Sequence, residues 1–292
     1  MQRASSAKHP FVYTNEVPLA DVPPKRKHAC LLMIDNQIDF CGPFGALMVP
    51  GATQDAANLI TALDANRDKF DGIIATLDTH QQYHIAHPIF WVNGNKEHPR
   101  PYTMIRSSDL EAGTWQTTDP LAMSWAKHYL EQLEKRNKFR LIIWPPHCLV
   151  GSLGHAIYSP IQASLQRWEL AQPGRNVQYV QKGNNAFTEH YSAISAEVVV
   201  ENDPNTKVNT ALLNELNSYE KIFVAGQALS HCVNFTVKDM IANGIPASKI
   251  YLIRDACSNV EGFQEAGNDF LVYFVERQHG NLAETSNLKE YL

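Results

Sequence analysis

Residues able to do chemistry stand just beyond five apolar runs in this chain of 292 residues. Ala29–Ile34 runs into Asp35, and Gly72–Leu77 runs into Asp78, Thr79 and His80. Leu141–Trp144 leads through two prolines to His147, and Val177–Val180 leads to Lys182. Lys221–Ala225 leads through Gly226, Gln227 and Ala228 towards Cys232. A thiol, a lysine, two carboxylates and two histidines suit nucleophilic catalysis beside a metal.

Each of these residues also has a plainer reading. Cys232 falls where a helix should begin, and helix N–H groups and the helix dipole stabilise a thiolate there. The same amides can hold an oxyanion. A cysteine facing a sheet can equally be a small buried hydrophobe. Asp35 is either a general base for the thiol or a turn-forming aspartate, and Asp39 is a second candidate base. Lys182 either keeps Asp35 ionised and lowers the thiol pKa, or is a solvated turn residue. Asp78 and His80, at i and i+2 of an extended segment, point the same way. With His147 they form a two-histidine, one-carboxylate set that leaves positions open for water or substrate. His84 and His87 are candidates for a fourth ligand.

Residues so placed need rigid elements behind them. Short apolar runs bounded by turn residues read as buried parallel strands, with Ile250–Ile253 as a sixth. Helical patterns lie between them at 52–69, 121–138, 161–170, 211–218, 230–243 and from 260 onward. Alternating strands and helices predict an α/β fold: one domain with a six-stranded, mostly parallel sheet and helices on both faces. In such sheets the carboxyl ends of the strands form the ligand crevice. Residues 84–118, rich in proline, glycine and tryptophan, form a long insertion expected to cover the site. Residues 1–28 read as an N-terminal extension to the domain at 29–292.

The net charge is -5 and Lys25-Arg26-Lys27 is the densest basic cluster, which argues against a nucleic-acid partner. No apolar stretch approaches the ~18 residues that span a bilayer, and the first 28 residues lack a signal-peptide core. A cytoplasmic protein with no membrane partner is therefore expected. Five cysteines without close spacing fit reduced thiols, with Cys30 and Cys257 as core residues.

Five segments, in order, resemble the nicotinamidase/isochorismatase-like cysteine hydrolases, closest to the nicotinamidase/pyrazinamidase branch. They are IDNQIDFCGPFGAL from Ile34, LDTH from Leu77, WPPHCLVGSLG from Trp144, QKGNNAFTEHYSAI from Gln181 and AGQALSHCV from Ala225. The resemblance implies a catalytic triad of Asp35, Lys182 and Cys232, and metal ligands Asp78, His80 and His147. It implies one divalent metal ion: zinc first, with iron or manganese as alternatives. It also implies a cis Gln227–Ala228 peptide, with the Ala228 and Cys232 amides as oxyanion donors. Phe40 and Trp144 match the substrate pocket. A metal-assisted amidohydrolase is expected, acting on a small nicotinamide-like amide in NAD metabolism, as a homo-oligomer. Alternatives are an isochorismatase-like hydrolase, an N-carbamoyl amide hydrolase, or a silent binding or redox-sensing protein on the same scaffold. Departures from the family pattern are the insertion, the extension, Ser230 where an aspartate is common, and the stretch Asn184–His190.

Overall fold

The computed structural model describes residues 27–136 and 139–292. The predicted extension falls almost wholly outside the described residues. A six-stranded sheet forms the centre. Its strands are β1 (Lys27–Ile34), β2 (Gly72–Asp78), β3 (Gln178–Lys182), β4 (Tyr219–Gly226), β5 (Ile250–Ile253) and β6 (Asn281–Ala283). The spatial order is β6-β5-β4-β1-β2-β3 and every pairing is parallel.

Both faces are covered, and β1 displays the reason. Its alternate residues Ala29, Leu31 and Met33 pack into one core, whereas Cys30, Leu32 and Ile34 pack into the other. With period-two alternation feeding two cores, the strand reads as an unbroken apolar run. Helices α1 (Ala52–Asn66) and α3 (Ser159–Leu170) bury Leu59, Leu63, Leu165 and Trp168 on the first face. Helices α2 (Met123–Lys135), α4 (Thr210–Asn217), α5 (Asn234–Ala242) and α6 (Gln264–Val272) cover the second. Among the described residues no helix is long and apolar enough to cross a membrane.

Two elements differ from the sequence expectation. Leu141–Ile142 is not a strand of the main sheet; it pairs antiparallel with Met104–Ile105 from the insertion. The run is apolar because Leu141, Ile142, Ile143 and Trp144 are all buried beside the sheet, not because they belong to it. The sixth strand is instead Asn281–Ala283, beside β5 at the sheet edge. The insertion is not loose either. Ile85, Ala86, Phe90 and Trp91 are fully buried, and the Trp91 indole donates to the Ile85 carbonyl at 2.6 Å.

Candidate active site

The main-sheet strands deliver the chemistry. Parallel register sets Asp78 beside Lys182 across β2 and β3, and Ile34, next to Asp35, beside Gly226 across β1 and β4. Thr76 and Asp78 share one face of β2 by strand periodicity. The Thr76 hydroxyl receives the Asp35 N–H at 3.0 Å and donates to Asp35 Oδ1 at 2.5 Å. Asp35 is thus clamped in a left-handed turn, φ 47°, directly after β1. Cys148, Gly183 and His190 around the site also have positive φ, at 47°, 77° and 63°.

The buried Lys182 ammonium joins three groups. It lies 2.9 Å from Asp35 Oδ2, 2.9 Å from Asp78 Oδ1 and 3.5 Å from Cys232 Sγ. The Asp35 contact is an ion pair by distance but off the line of a hydrogen bond, so Oδ2 keeps accepting capacity. The Cys232 thiol interacts with the same carboxylate. Cys232 sits in a wide π-type turn, Leu229–Val233, that runs into α5. Gln227–Ala228 is a cis peptide, as the resemblance implied. The Ala228 carbonyl accepts the N–H groups of His231 and Val233 at 3.0 and 3.1 Å.

Burial governs the proton affinities. It raises the Asp35 pKa, with Lys182 working against it and Asp78 with it. Burial likewise raises Cys232 well above the ordinary thiol range, and the Lys182 charge only offsets this in part. Burial therefore works against the expected lowering of the thiol pKa and makes the neighbouring carboxylate more basic. Burial opposes the Lys182 charge, but Asp35 and Asp78 outweigh it and hold the ammonium well above its usual range.

Asp78, His80 and His147 converge, with potential ligand atoms all within 4.8 Å of one another. His80 Nε2 is 3.0 Å and His147 Nε2 is 3.4 Å from Asp78 Oδ2. His147 Nδ1 meets the Pro145 carbonyl at 2.9 Å and His80 Nδ1 meets the Gly183 carbonyl at 3.2 Å. A carbonyl partner fixes the proton on Nδ1 and leaves Nε2 as a metal donor. His84 and His87 pack against His80, one tilted and one edge-on, and His80, His84 and Glu189 form a second convergent set. Buried His84 Nε2, His87 Nε2 and Glu189 Oε2 have no protein hydrogen-bond partner. Orphaned donors and acceptors around two imidazoles and a carboxylate fit a bound cation and its water. Asp39 does not act with the thiol: its carboxylate accepts the N–H groups of Ala46 and Cys148 at 3.0 and 2.7 Å. It pins the loop that carries His147.

Phe40, Trp144, Ala228 and Cys232 line one small cavity together with Asp78 and His147. Phe40 packs edge-on against His147 with ring centroids 5.4 Å apart. Glu189, Tyr191 and His231 line it too. Sequence reasoning passed over these three, although Glu189 lies in the stretch already seen to depart from the family pattern. Thr76 and Gln37 were also missed. Gln37 bonds both the N–H and the carbonyl of Asp78 at 2.7 Å, which orients that ligand. Thr76, two residues before Asp78 on the same strand face, carried a legible signal.

No family model matches the chain. The nicotinamidase of Saccharomyces cerevisiae is 26% identical over 208 residues, covering 70% of this chain and 78% of that protein. The nicotinamidase of Escherichia coli is 27% identical over 234 residues, covering 79% and 83%. Over most of its length the chain is thus similar in sequence to nicotinamidases. A solved structure of the yeast nicotinamidase superposes with a TM-score of 0.61 at 19% identity, covering 88% of this chain and 99% of that one. The pyrazinamidase of Pyrococcus horikoshii in complex with zinc gives 0.52 at 19% identity, covering 88% and 99%. These structures share their fold with this chain.

Proposed function

We propose that this protein is an amidohydrolase that converts nicotinamide, or a closely similar carboxamide, to the acid and ammonia through a thioester on Cys232. The observation that carries the reading is the contact set of Lys182. One buried ammonium touches the candidate base, the candidate nucleophile and a candidate metal ligand. The two nicotinamidase relatives support the substrate class.

Asp35 takes the thiol proton as Cys232 attacks the amide carbonyl. Its burial-raised pKa makes it a stronger base than an exposed carboxylate, and Lys182 balances the negative charge as it moves onto sulfur. The N–H groups of Ala228 and Cys232 are assigned to the oxyanion. Asp35 returns the proton to the departing ammonia, then activates water for thioester hydrolysis. Phe40 and Trp144 hold the ring. Asp78, His80 and His147 would hold one divalent ion, with zinc favoured by the donor set and by the zinc-bound pyrazinamidase. That ion would orient the substrate by a ring nitrogen or a bound water.

Ammonia release across nicotinamide, pyrazinamide, N-carbamoyl amino acids and aliphatic amides tests the reading. Turnover of nicotinamide that disappears in Cys232→Ala supports it. Hydrolysis of N-carbamoyl compounds alone would transfer the protein to another branch of the fold.

A further inference from the structure

The space beside Cys232 is about 20 Å³, bounded by Phe40 and Trp144 and sized for a small carboxamide and no longer body. A much larger cavity of about 350 Å³ lies immediately outside it. That volume falls in the range of pockets that hold organic ligands. Tyr191 and His231 line both spaces. His231, adjacent to the nucleophile in sequence, is the partition. Its ring packs against Trp144 at 5.3 Å, Tyr191 at 5.2 Å and Phe263 at 4.8 Å.

The outer cavity has its own chemistry. Phe139, Phe235 and Phe263 supply aromatic walls, and Met104 from the insertion adds a thioether. Arg140 sets a guanidinium on the lining, where Lys238 and Asp269 also stand. Aromatic faces beside a guanidinium select a flat apolar body ending in an anion. We propose that this cavity is a second substrate subsite, which takes the far end of an extended aryl carboxamide with an anionic terminus. The carboxamide enters the thiol pocket past His231, and the body lies between Phe235 and Phe263. The proposal rests on the reading of Cys232 as nucleophile for its catalytic meaning, although binding in the cavity can be measured without turnover.

The probes are nicotinamide, 4′-carbamoylbiphenyl-4-carboxylate and its neutral methyl ester. Affinities are measured by calorimetry on the full chain carrying Cys232→Ala, where no chemistry intervenes. The carboxylate probe should bind at least tenfold tighter than nicotinamide. Adding Arg140→Gln should weaken the carboxylate probe at least fivefold and leave the ester unchanged. Adding Ala266→Phe, which fills the cavity from α6, should weaken both biphenyl probes at least tenfold while nicotinamide is unaffected. A carboxylate probe that binds no tighter than nicotinamide, or that ignores both substitutions, overturns the subsite. Ammonia release by the chain with Cys232 intact is a separate readout. Substitution-sensitive binding without any ammonia release supports the subsite and rejects the catalytic reading.

Discussion

Lys182 donates to Asp78 at 2.9 Å, so the lysine of the proposed triad is bonded directly to a carboxylate of the candidate metal set. The nucleophile side and the metal side are one electrostatic unit. Removal of the ammonium would leave Asp35 and Asp78 buried without their shared counter-charge. Breaking a buried ion pair from one side costs about 3–5 kcal/mol. Lys182→Met should therefore lower unfolding free energy by about that amount, measured by urea denaturation. Turnover should vanish in the same variant. Unchanged stability would mean that the two carboxylates do not depend on this cation.

Cys232→Ala is expected to separate chemistry from architecture. It removes the nucleophile but leaves Lys182 held by both aspartates. The kcat for ammonia release should fall by roughly 10⁴-fold or more. Metal content by elemental analysis and thermal stability should stay near those of the parent. A variant retaining substantial turnover would exclude a thioester intermediate.

The two histidines of the metal set should differ from their neighbours in consequence. His80→Ala and His147→Ala should each weaken binding of added zinc by more than about 100-fold, beyond what loss of an outer partner causes. His84→Ala, whose ring packs at a tilt against His80 with centroids 4.2 Å apart, should have a smaller effect. Competition against a chromophoric chelator measures all three. Equal losses at His84 and His147 would make the second convergent set the stronger binder.

His231 gives the protein a specific sensitivity to acid. Burial lowers its pKa from 6.5 to about 4. A depressed imidazole pKa means that the unfolded chain binds the proton first. The His231 contribution is complete above about pH 6.5 and is lost as pH falls towards 4. In that window stability should fall by up to about 1.4 kcal/mol for each pH step on account of this residue alone. Urea denaturation from pH 7 to pH 4 should reveal a shallower fall in His231→Gln than in the parent. Parallel curves would assign the acid sensitivity elsewhere.

The sequence made most of the site legible because every main-sheet strand that carries a functional residue is buried on both faces. Asp35, Asp78 and Lys182 follow or end such strands, so polarity changes abruptly where the chemistry begins. The same signal misread Leu141–Trp144, since an apolar run reports burial and not strand pairing. Asn281–Ala283 went unseen for the opposite reason. Only Ala283 of its three residues is buried, and its pairing with β5 is decided by the rest of the fold. The thiol pKa was also beyond reach, because the desolvation of Cys232 depends on walls drawn from distant segments. Tyr191 and His231 looked like ordinary loop and helix residues until folding packed them against each other and against Trp144.

The left-handed turn at Asp35 makes this position serve two masters in any attempt to improve the protein. A non-glycine residue at φ 47° carries a backbone penalty of about 1–3 kcal/mol, which glycine would relieve. Glycine would also strip Lys182 of one counter-charge and the thiol of its proposed base. Asparagine tolerates the same corner, so Asp35→Asn is the substitution that alters charge while sparing the turn. A laboratory evolution experiment selecting heat resistance would thus press on the same backbone corner that selection for turnover must keep as aspartate.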